Sequence, residues 1–156
     1  MNLIKLPEMS DAEINKALES QNLCRIAFID KDYPYISPFQ YLYLNNIMYF
    51  HFTDYGKKKE ILEKNRNVCA SIEKFTQDLS EYFFISIQGK LNLVEDSQER
   101  KQVIKKMILE AKNKYSKNFL SAHGFDKNKG WDSFTDQNQL IYKLDDIVYR
   151  VGLKSI

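Results

Sequence analysis

Hydrophobic and polar positions change period several times along the chain. In residues 83–93, Phe83, Ile85, Ile87, Gly89, Leu91 and Leu93 alternate with Phe84, Ser86, Gln88, Lys90 and Asn92. That two-residue period is the mark of a strand with one buried face. From Ser97 to Tyr115 the spacing turns helical, with Val103, Ile104, Met107, Ile108, Ala111 and Tyr115 on one stripe. Asp96 and Glu99 stand three apart at its start, as a capping pair does. Ser10 and Glu13 repeat that pattern and predict a helix over 11–20.

The remaining apolar runs are short and rich in strand formers. They predict strands over 23–29, 35–44, 47–52, 68–74 and 140–152. Asp30-Lys31-Asp32-Tyr33-Pro34 supplies one turn, and Asn45-Asn46 a tight hairpin, since Asn tolerates positive φ. A short helix begins at Asp54 or Gly56, with Ile61 and Leu62 as its apolar contacts. Residues 116–139 follow no period. So long a connection implies a functional lid or an unrecognised short helix. Strands in hairpin order with helices between them predict a mainly β fold with peripheral α-helices, a small antiparallel barrel.

Composition adds limits. A chain of 156 residues with 5 Gly, 3 Pro and no linker-like stretch is expected to be one domain over 1–156. Lys and Arg number 23 against 21 Asp and Glu, a net +2, so a general electrostatic grip on nucleic acid or membrane is not expected. No run approaches the ~20 apolar residues of a membrane span, and the first residues lack the apolar core of a signal peptide, so a cytoplasmic location is expected. Cys24 and Cys69, far apart and flanked by strand formers, read as free thiols, and two Cys with two His make no metal site. The aromatic content, 13%, is concentrated between Tyr33 and Phe52. Such a run is either barrel core with a pocket for a flat cofactor or a stacking platform for single-stranded nucleic acid. The absence of interleaved Lys and Arg favours the first.

Chemistry gathers at Thr53-Asp54-Tyr55-Gly56-Lys57-Lys58, where a strand turns into a helix. Lysines stand at the unfavourable end of the helix dipole. A bound phosphate would neutralise both lysines and dipole, with the Thr53 hydroxyl and backbone amides adding donors; a solvated charge run is the other reading. His51 is either a satisfied half-buried histidine or a contact to ligand. Trp131, in the aperiodic segment with His123, is either a packing anchor or a ring that stacks on a cofactor or walls a substrate site. Arg25 is either solvated at an edge or a cation near the cofactor.

The stretch from Leu23 to Glu73, with PYISPFQYLYLNNIMYFHFTDYGKK and NRNVCASIE at its centre, resembles the FMN-binding split-barrel superfamily, which contains pyridoxamine 5'-phosphate oxidases and nitroimidazole-resistance-type flavoproteins. The matching features are Pro38 within a strand, His51 on an aromatic strand, Gly56-Lys57-Lys58, Leu62, Asn65-Arg66-Asn67-Val68, and the later Ile85-Ser86-Ile87-Gln88-Gly89-Lys90; the likeness spans roughly residues 10 to 110. It implies an antiparallel split barrel that binds FMN, with Thr53, Lys57 and Lys58 on the phosphate. The ring and ribityl chain would run along Ser37-Pro38-Phe39-Gln40-Tyr41 and His51-Phe52, and Pro38, which removes a ladder donor, implies a bulge or an edge there. It also implies a homodimer with flavin at the subunit interface, Ser86 and Gln88 contributing across it. The activity implied is that of an oxidoreductase passing electrons to a small organic acceptor, with His51 and Trp131 as candidate catalytic residues at its edge. Related barrels also accept haem or a deazaflavin, and a flavin-storing or haem-binding protein without turnover is the alternative.

Two departures narrow this reading. Ser37 stands where the oxidases carry a further phosphate-binding arginine, and residues 145–152 lack the oxidases' C-terminal histidine. Both argue against oxidation of vitamin B6. Lys57, where the family has arginine, offers a point charge instead of a bidentate fork.

Overall fold

A computed structural model describes residues 3–134 and 139–155. Seven strands form one antiparallel sheet: β1 (Leu23–Asp30), β2 (Tyr33–Gln40), β3 (Leu42–Leu44), β4 (Ile47–Phe52), β5 (Asn67–Phe75), β6 (Tyr82–Leu93) and β7 (Leu140–Lys154). Helices α1 (Asp11–Ser20), α2 (Lys57–Lys64), α3 (Ser97–Lys114) and α4 (Asn118–Ala122) surround it, with a 3-10 segment at Lys127–Ser133.

The strand order is β2-β1-β5-β6-β7-β4-β3. Its two outermost strands, β2 and β3, are neighbours in sequence, separated only by Tyr41. The chain therefore crosses from one edge of the sheet to the other in one residue, which curls the sheet into a split barrel. The run 35–44, expected as a single strand, is divided at that point. Its first part pairs with β1 and its second with β4. Tyr41 holds the crossing, its amide donating to Asn22 O at 3.1 Å and its hydroxyl to Leu18 O at 2.9 Å.

Alternation decides what lies inside. Cys24, Ile26 and Phe28 of β1, Met48, Phe50 and Phe52 of β4, and Val68, Ala70 and Ile72 of β5 fill the barrel, and Ile14, Ala17 and Leu18 of α1 pack on them. The capping box of α1 forms as expected: Glu13 N donates to Ser10 Oγ at 3.3 Å and Ser10 N to Glu13 Oε2 at 2.8 Å. A second apolar cluster lies outside the barrel, where Val103 and Ile104 of α3, Leu120 and Phe134 meet Leu42, Tyr49 and Ile141. The odd residues of β4, Tyr49 and His51, thus point away from the barrel interior and toward α3 and the segment after it.

Pro38 sits on the edge strand in unbroken register with Arg25, so the edge expected there is present and the bulge is not. The bulge falls at Gly89, between Gln88 and Lys90. An added Cβ there would stand 2.6 Å from Asp145 O, so only glycine admits so close an approach of β7. Asn45 (φ 52°) and Asn46 (φ 63°) make the expected hairpin turn. The aperiodic segment contains α4 and the 3-10 turn, the short helices its sequence concealed; residues 135–138 lie outside the described ones. Cys24, buried, and Cys69, half-buried, are free thiols. Arg25 pairs with Glu73 across the outer sheet face. Among the described residues, no helix is long and apolar enough to cross a membrane.

Candidate functional site

Beside the crossing at Tyr41, a cavity of about 600 Å³ opens at the barrel. Its floor comes from two strands that belong to opposite halves of the sheet: Pro38, Phe39 and Gln40 of β2, and His51, Phe52 and Thr53 at the end of β4. Lys58 of α2 closes one side, and the residues from Lys114 to His123 form the facing wall. The volume falls in the range of small-molecule sites, roughly 300–1,000 Å³.

Seven of the residues expected at a cofactor site therefore share one space: Pro38, Phe39, Gln40, His51, Phe52, Thr53 and Lys58. Six others lie elsewhere. Ser37 faces the barrel interior and is buried, and Tyr41 is committed to α1. Lys57 points to the other flank of α2, where its ammonium meets Asp30 Oδ2 at 2.9 Å and lies 5.0 Å from the centre of the Tyr35 ring. That pairing holds the Asp30 carboxyl below its ordinary range and the Lys57 ammonium above it. Ser86 and Gln88 are on the outer face of β6, and Gln88 lines a different cavity, with Cys69 and Val148. Trp131 is set behind the wall, 5.9 Å from the Phe119 ring.

The cavity lining contains two lysines, Lys58 and Lys114, and no carboxylate. Lys114 is tied to Glu110 at 3.1 Å, one turn back on its own helix. Of the three lysines that open α2, Lys59 is held by Asp54 and Glu63 at 3.3 and 2.7 Å, and Lys57 by Asp30. Lys58 makes no ion pair among the described residues; its ammonium lies 4.9 Å from the centre of the Phe39 ring, at the cavity. The cap residue Gly56, at φ 92°, gives α2 no side-chain cap, so the first amides of the helix lack a side-chain acceptor. A positive field with hydrogen-bond donors and no acid is the chemistry of an anion site. A buried aromatic floor beside it suits a flat ring.

Two histidines meet between floor and wall, ring centres 5.7 Å apart. His51 Nε2 donates to Gln139 Oε1. Burial nevertheless drives its pKa down to about 4, and the neighbouring His123 adds to the fall. His123 Nδ1 donates to Phe119 O at 2.8 Å, and burial also lowers its pKa, with the Lys58 charge contributing. Both rings are neutral near pH 7, with His51 Nδ1 and His123 Nε2 as acceptors.

The wall is an aromatic row. Tyr115 and Phe119 lie parallel (2°) with centres 5.2 Å apart, and Phe119 stacks on His123 at 4.0 Å. Asn22 Nδ2 donates to Tyr115 Oη at 2.6 Å, tying the row to the barrel. Tyr115, Phe119 and Gln139 were not among the expected site residues. The four-residue spacing of Tyr115, Phe119 and His123 was the available signal, hidden because α3 ends at Lys114, just before the first of them. Gln139 carried none, being brought to His51 only by the pairing of β7 with β4.

The same architecture recurs among solved structures. A FAD-binding protein from Mesorhizobium loti matches with a TM-score of 0.71 at 15% identity, over 98% of this chain and 100% of that one. A candidate 5-nitroimidazole antibiotic resistance protein from Bacteroides thetaiotaomicron matches with a TM-score of 0.65 at 20% identity, over 96% and 87%. A haem storage protein from Vibrio cholerae gives a TM-score of 0.65 at 15% identity, over 92% and 94%. At such identities the likeness is one of fold. No curated protein matches the sequence. The family described as pyridoxamine 5'-phosphate oxidase matches over residues 10–133, from the capping box of α1 through the aromatic wall, and the chain belongs to that family.

Proposed function

We propose that the cavity binds a flavin, FMN, and that the protein is an FMN-dependent oxidoreductase acting on a small organic acceptor. The observation that carries this is Lys58, a lysine with no carboxylate partner among the described residues, at the open start of α2 in a cavity without acids. Lys58, the α2 amides and Thr53 would hold the phosphate. Pro38, Phe39, Gln40, His51 and Phe52 would bed the ring, and the polar edge of the ring would meet the unpaired backbone of the edge strand β2. FMN, when bound, supplies two-electron transfer between a donor such as a reduced nicotinamide and the acceptor. The chain's own part is to orient the ring, keep His51 neutral beside it and exclude water with the aromatic wall. The FAD-binding neighbour supports a flavin. The free thiols of Cys24 and Cys69 support a reducing, cytoplasmic setting.

Separate Lys57→Ala and Lys58→Ala variants test the assignment by titration with FMN and with riboflavin. A charge-assisted phosphate contact contributes about 1.5–3 kcal/mol, so Lys58→Ala is expected to weaken FMN roughly 10- to 100-fold and leave riboflavin unchanged. Lys57→Ala is expected to change either ligand less than threefold. Equal losses for both flavins on Lys58→Ala, or no FMN binding by the unaltered protein, overturn the reading.

Haem without turnover is the second reading. His123 favours it, with Nδ1 fixed by a carbonyl and its ring on the cavity wall, and so does the haem storage neighbour. The visible spectrum of the loaded protein separates the two.

The assembly proposed is a homodimer with flavin at the interface. The outer sheet face carries Ile36 and Tyr149, exposed and in one row with Gln88 through Ala27 and Cys69; Leu23 and Ile29 are exposed further along β1, and Val148, also exposed, lines the cavity that Gln88 lines. A second copy would cover this face and bring Ser86 and Gln88 toward the partner's flavin. Light scattering is expected to give the mass of two chains, and Val148→Asp to give that of one; a monomer that binds FMN tightly rules the dimer out.

A further inference from the structure

The net charge of +2 conceals an uneven distribution. Residues 97–134, which form α3 and the wall, carry nine Lys and Arg against four Asp and Glu, a net +5, so the rest of the chain is net −3. Ten residues of α3 are exposed; five of them are lysines and none is acidic. The two acids of the helix are already engaged, Glu99 by Tyr49 and Lys143 at 2.8 and 3.0 Å and Glu110 by Lys114 at 3.1 Å. Lys101, Lys105, Lys106 and Lys112 make no ion pair among the described residues. Lys101 and Lys105 stand one turn apart, a like-charge spacing that costs a helix stability.

This face is not only charged. Leu109 is 52% exposed, and its neighbours one turn away along the helix are Lys105, Lys106 and Lys112. Beside it a shallow groove of about 260 Å³ is lined by Lys101, Ile104, Lys105 and Ile108. An apolar centre with a charged rim is the layout of a protein interface. One face of this 18-residue helix, about 27 Å long, suits the small contacts of transient redox encounters. Its C-terminal end, Lys114 with Tyr115 after it, lines the 600 Å³ cavity.

We propose that the exposed face of α3 is the docking surface of an acidic electron-carrier protein, which delivers electrons to the cavity at its Lys114 end. The proposal rests on the flavin reading and names a second class of donor for it. Two one-electron carriers each lose one electron, and the flavin takes up both with a proton from solvent. Opposite charge guides the encounter and orients the carrier toward the cavity. A second copy of this chain fits the face poorly, because a two-fold contact would set these lysines against themselves. A membrane surface would need an apolar stripe, and that of α3, Val103, Ile104 and Ala111, is buried beneath the helix.

A plant-type ferredoxin, acidic and strongly reducing, is the probe. Anaerobic stopped-flow mixing of reduced ferredoxin with the FMN-loaded protein is followed by bleaching of the flavin band. The second-order rate is expected to fall about tenfold from ~0.02 M to ~0.3 M salt. Lys105→Glu with Lys112→Glu is expected to slow it about tenfold at low salt, leaving reduction by dithionite and the affinity for FMN unchanged. Lys105→Arg with Lys112→Arg is expected to keep the rate. Lys5→Glu with Lys74→Glu, the same charge change at two exposed lysines outside α3 and the wall, is expected to slow it less than about threefold. An equal slowing in that control, a rate that salt does not change, or no reduction by ferredoxin overturns the proposal. So does retention of the unaltered protein by phosphatidylserine vesicles or duplex DNA that Lys105→Glu with Lys112→Glu abolishes while the ferredoxin rate stands. Failure of the flavin reading appears separately, as absence of FMN binding in a flavin-fluorescence titration. Oxidised ferredoxin titrated into the flavin-free protein then still decides whether the face docks a carrier: shifts of the α3 amide signals are expected, and their absence overturns the surface.

Discussion

The barrel and the wall that faces it are held by different forces. In the barrel every neighbouring pair of strands shares a hydrogen-bonded ladder, and Ile26, Phe50, Ala70, Ile72, Ile85 and Leu91 are completely buried. The wall, residues 115–134, contains one helix of five residues and a 3-10 segment interrupted at Gly130 (φ 66°). It is fastened to the barrel chiefly by rings. Three of them, His123, Phe125 and Phe134, converge on His51 with centres 5.4–5.7 Å away. Ladders are cooperative and survive the loss of a side chain. A ring cluster depends on each member. On the proposed reading, the rigid half would present the anion seat and the cofactor floor, and the less strongly tied half the wall that closes over them.

The largest effect that tests this contrast comes from one truncation on each side. Phe50 is fully buried among Phe39 and Tyr41, and Phe50→Ala is expected to cost about 3–5 kcal/mol in urea unfolding, lowering the stability of the whole molecule. Trp131, half-buried at the back of the wall, is expected to cost roughly 1–2 kcal/mol when changed to Ala, with the barrel amides keeping their protection from hydrogen exchange. If Trp131→Ala deprotects barrel and wall together, the two halves are one cooperative unit and the contrast fails.

The same division explains what the sequence disclosed. Strict alternation in residues 83–93 and the Asn45-Asn46 turn are local signals, and each element they announced is present. The split of the run 35–44 at Tyr41 left no such mark, because both halves keep strand propensity and only the sheet closure decides which partner each takes. In the site, the residues carried by strands, Pro38 to Gln40 and His51 to Thr53, were legible through the resemblance of their segments to a known family; alternation alone sets Phe39 and Phe52 on the barrel face, opposite Pro38, Gln40 and His51. Lys57 and Lys58 were indistinguishable in sequence. The fold separates them by placing Asp30 beside one and the aromatic floor beside the other. The wall was least legible, since its one regular spacing, Tyr115, Phe119 and His123, begins only where α3 has ended. Gln139, which bonds the histidine that the wall's rings meet, lies 88 residues from it.

A smaller effect, confined to the seam between the halves, is set by the protons that His51 and His123 decline. In the unfolded chain a histidine titrates near 6.5, whereas burial holds His51 at about 4 in the folded protein and moves His123 in the same direction. Above pH 6.5 neither state carries the His51 proton, and stability does not depend on it. Between pH 6.5 and 4 the unfolded chain binds the proton and the folded one does not, so stability falls as pH falls. Below pH 4 both states bind it, and the slope ends. The span corresponds to a loss on the order of 3 kcal/mol, to which His123 adds. Glu13, held at about 2 by Lys154 and the Ser10 amide, loses its contribution as pH falls from the ordinary carboxylate value toward 2, in a window that meets this one only at its acid end. Urea midpoints at pH 7.0, 5.5 and 4.5 should therefore decline in the unaltered protein and decline less in His51→Asn. Hydrogen exchange at pH 5 should open the wall amides before those of β4. Since His51 is where the wall's rings meet the barrel, a midpoint that stays level from pH 7.0 to 4.5, or a His51→Asn protein with an unchanged slope, would mean that the seam admits water and that the wall is not closed over the histidines.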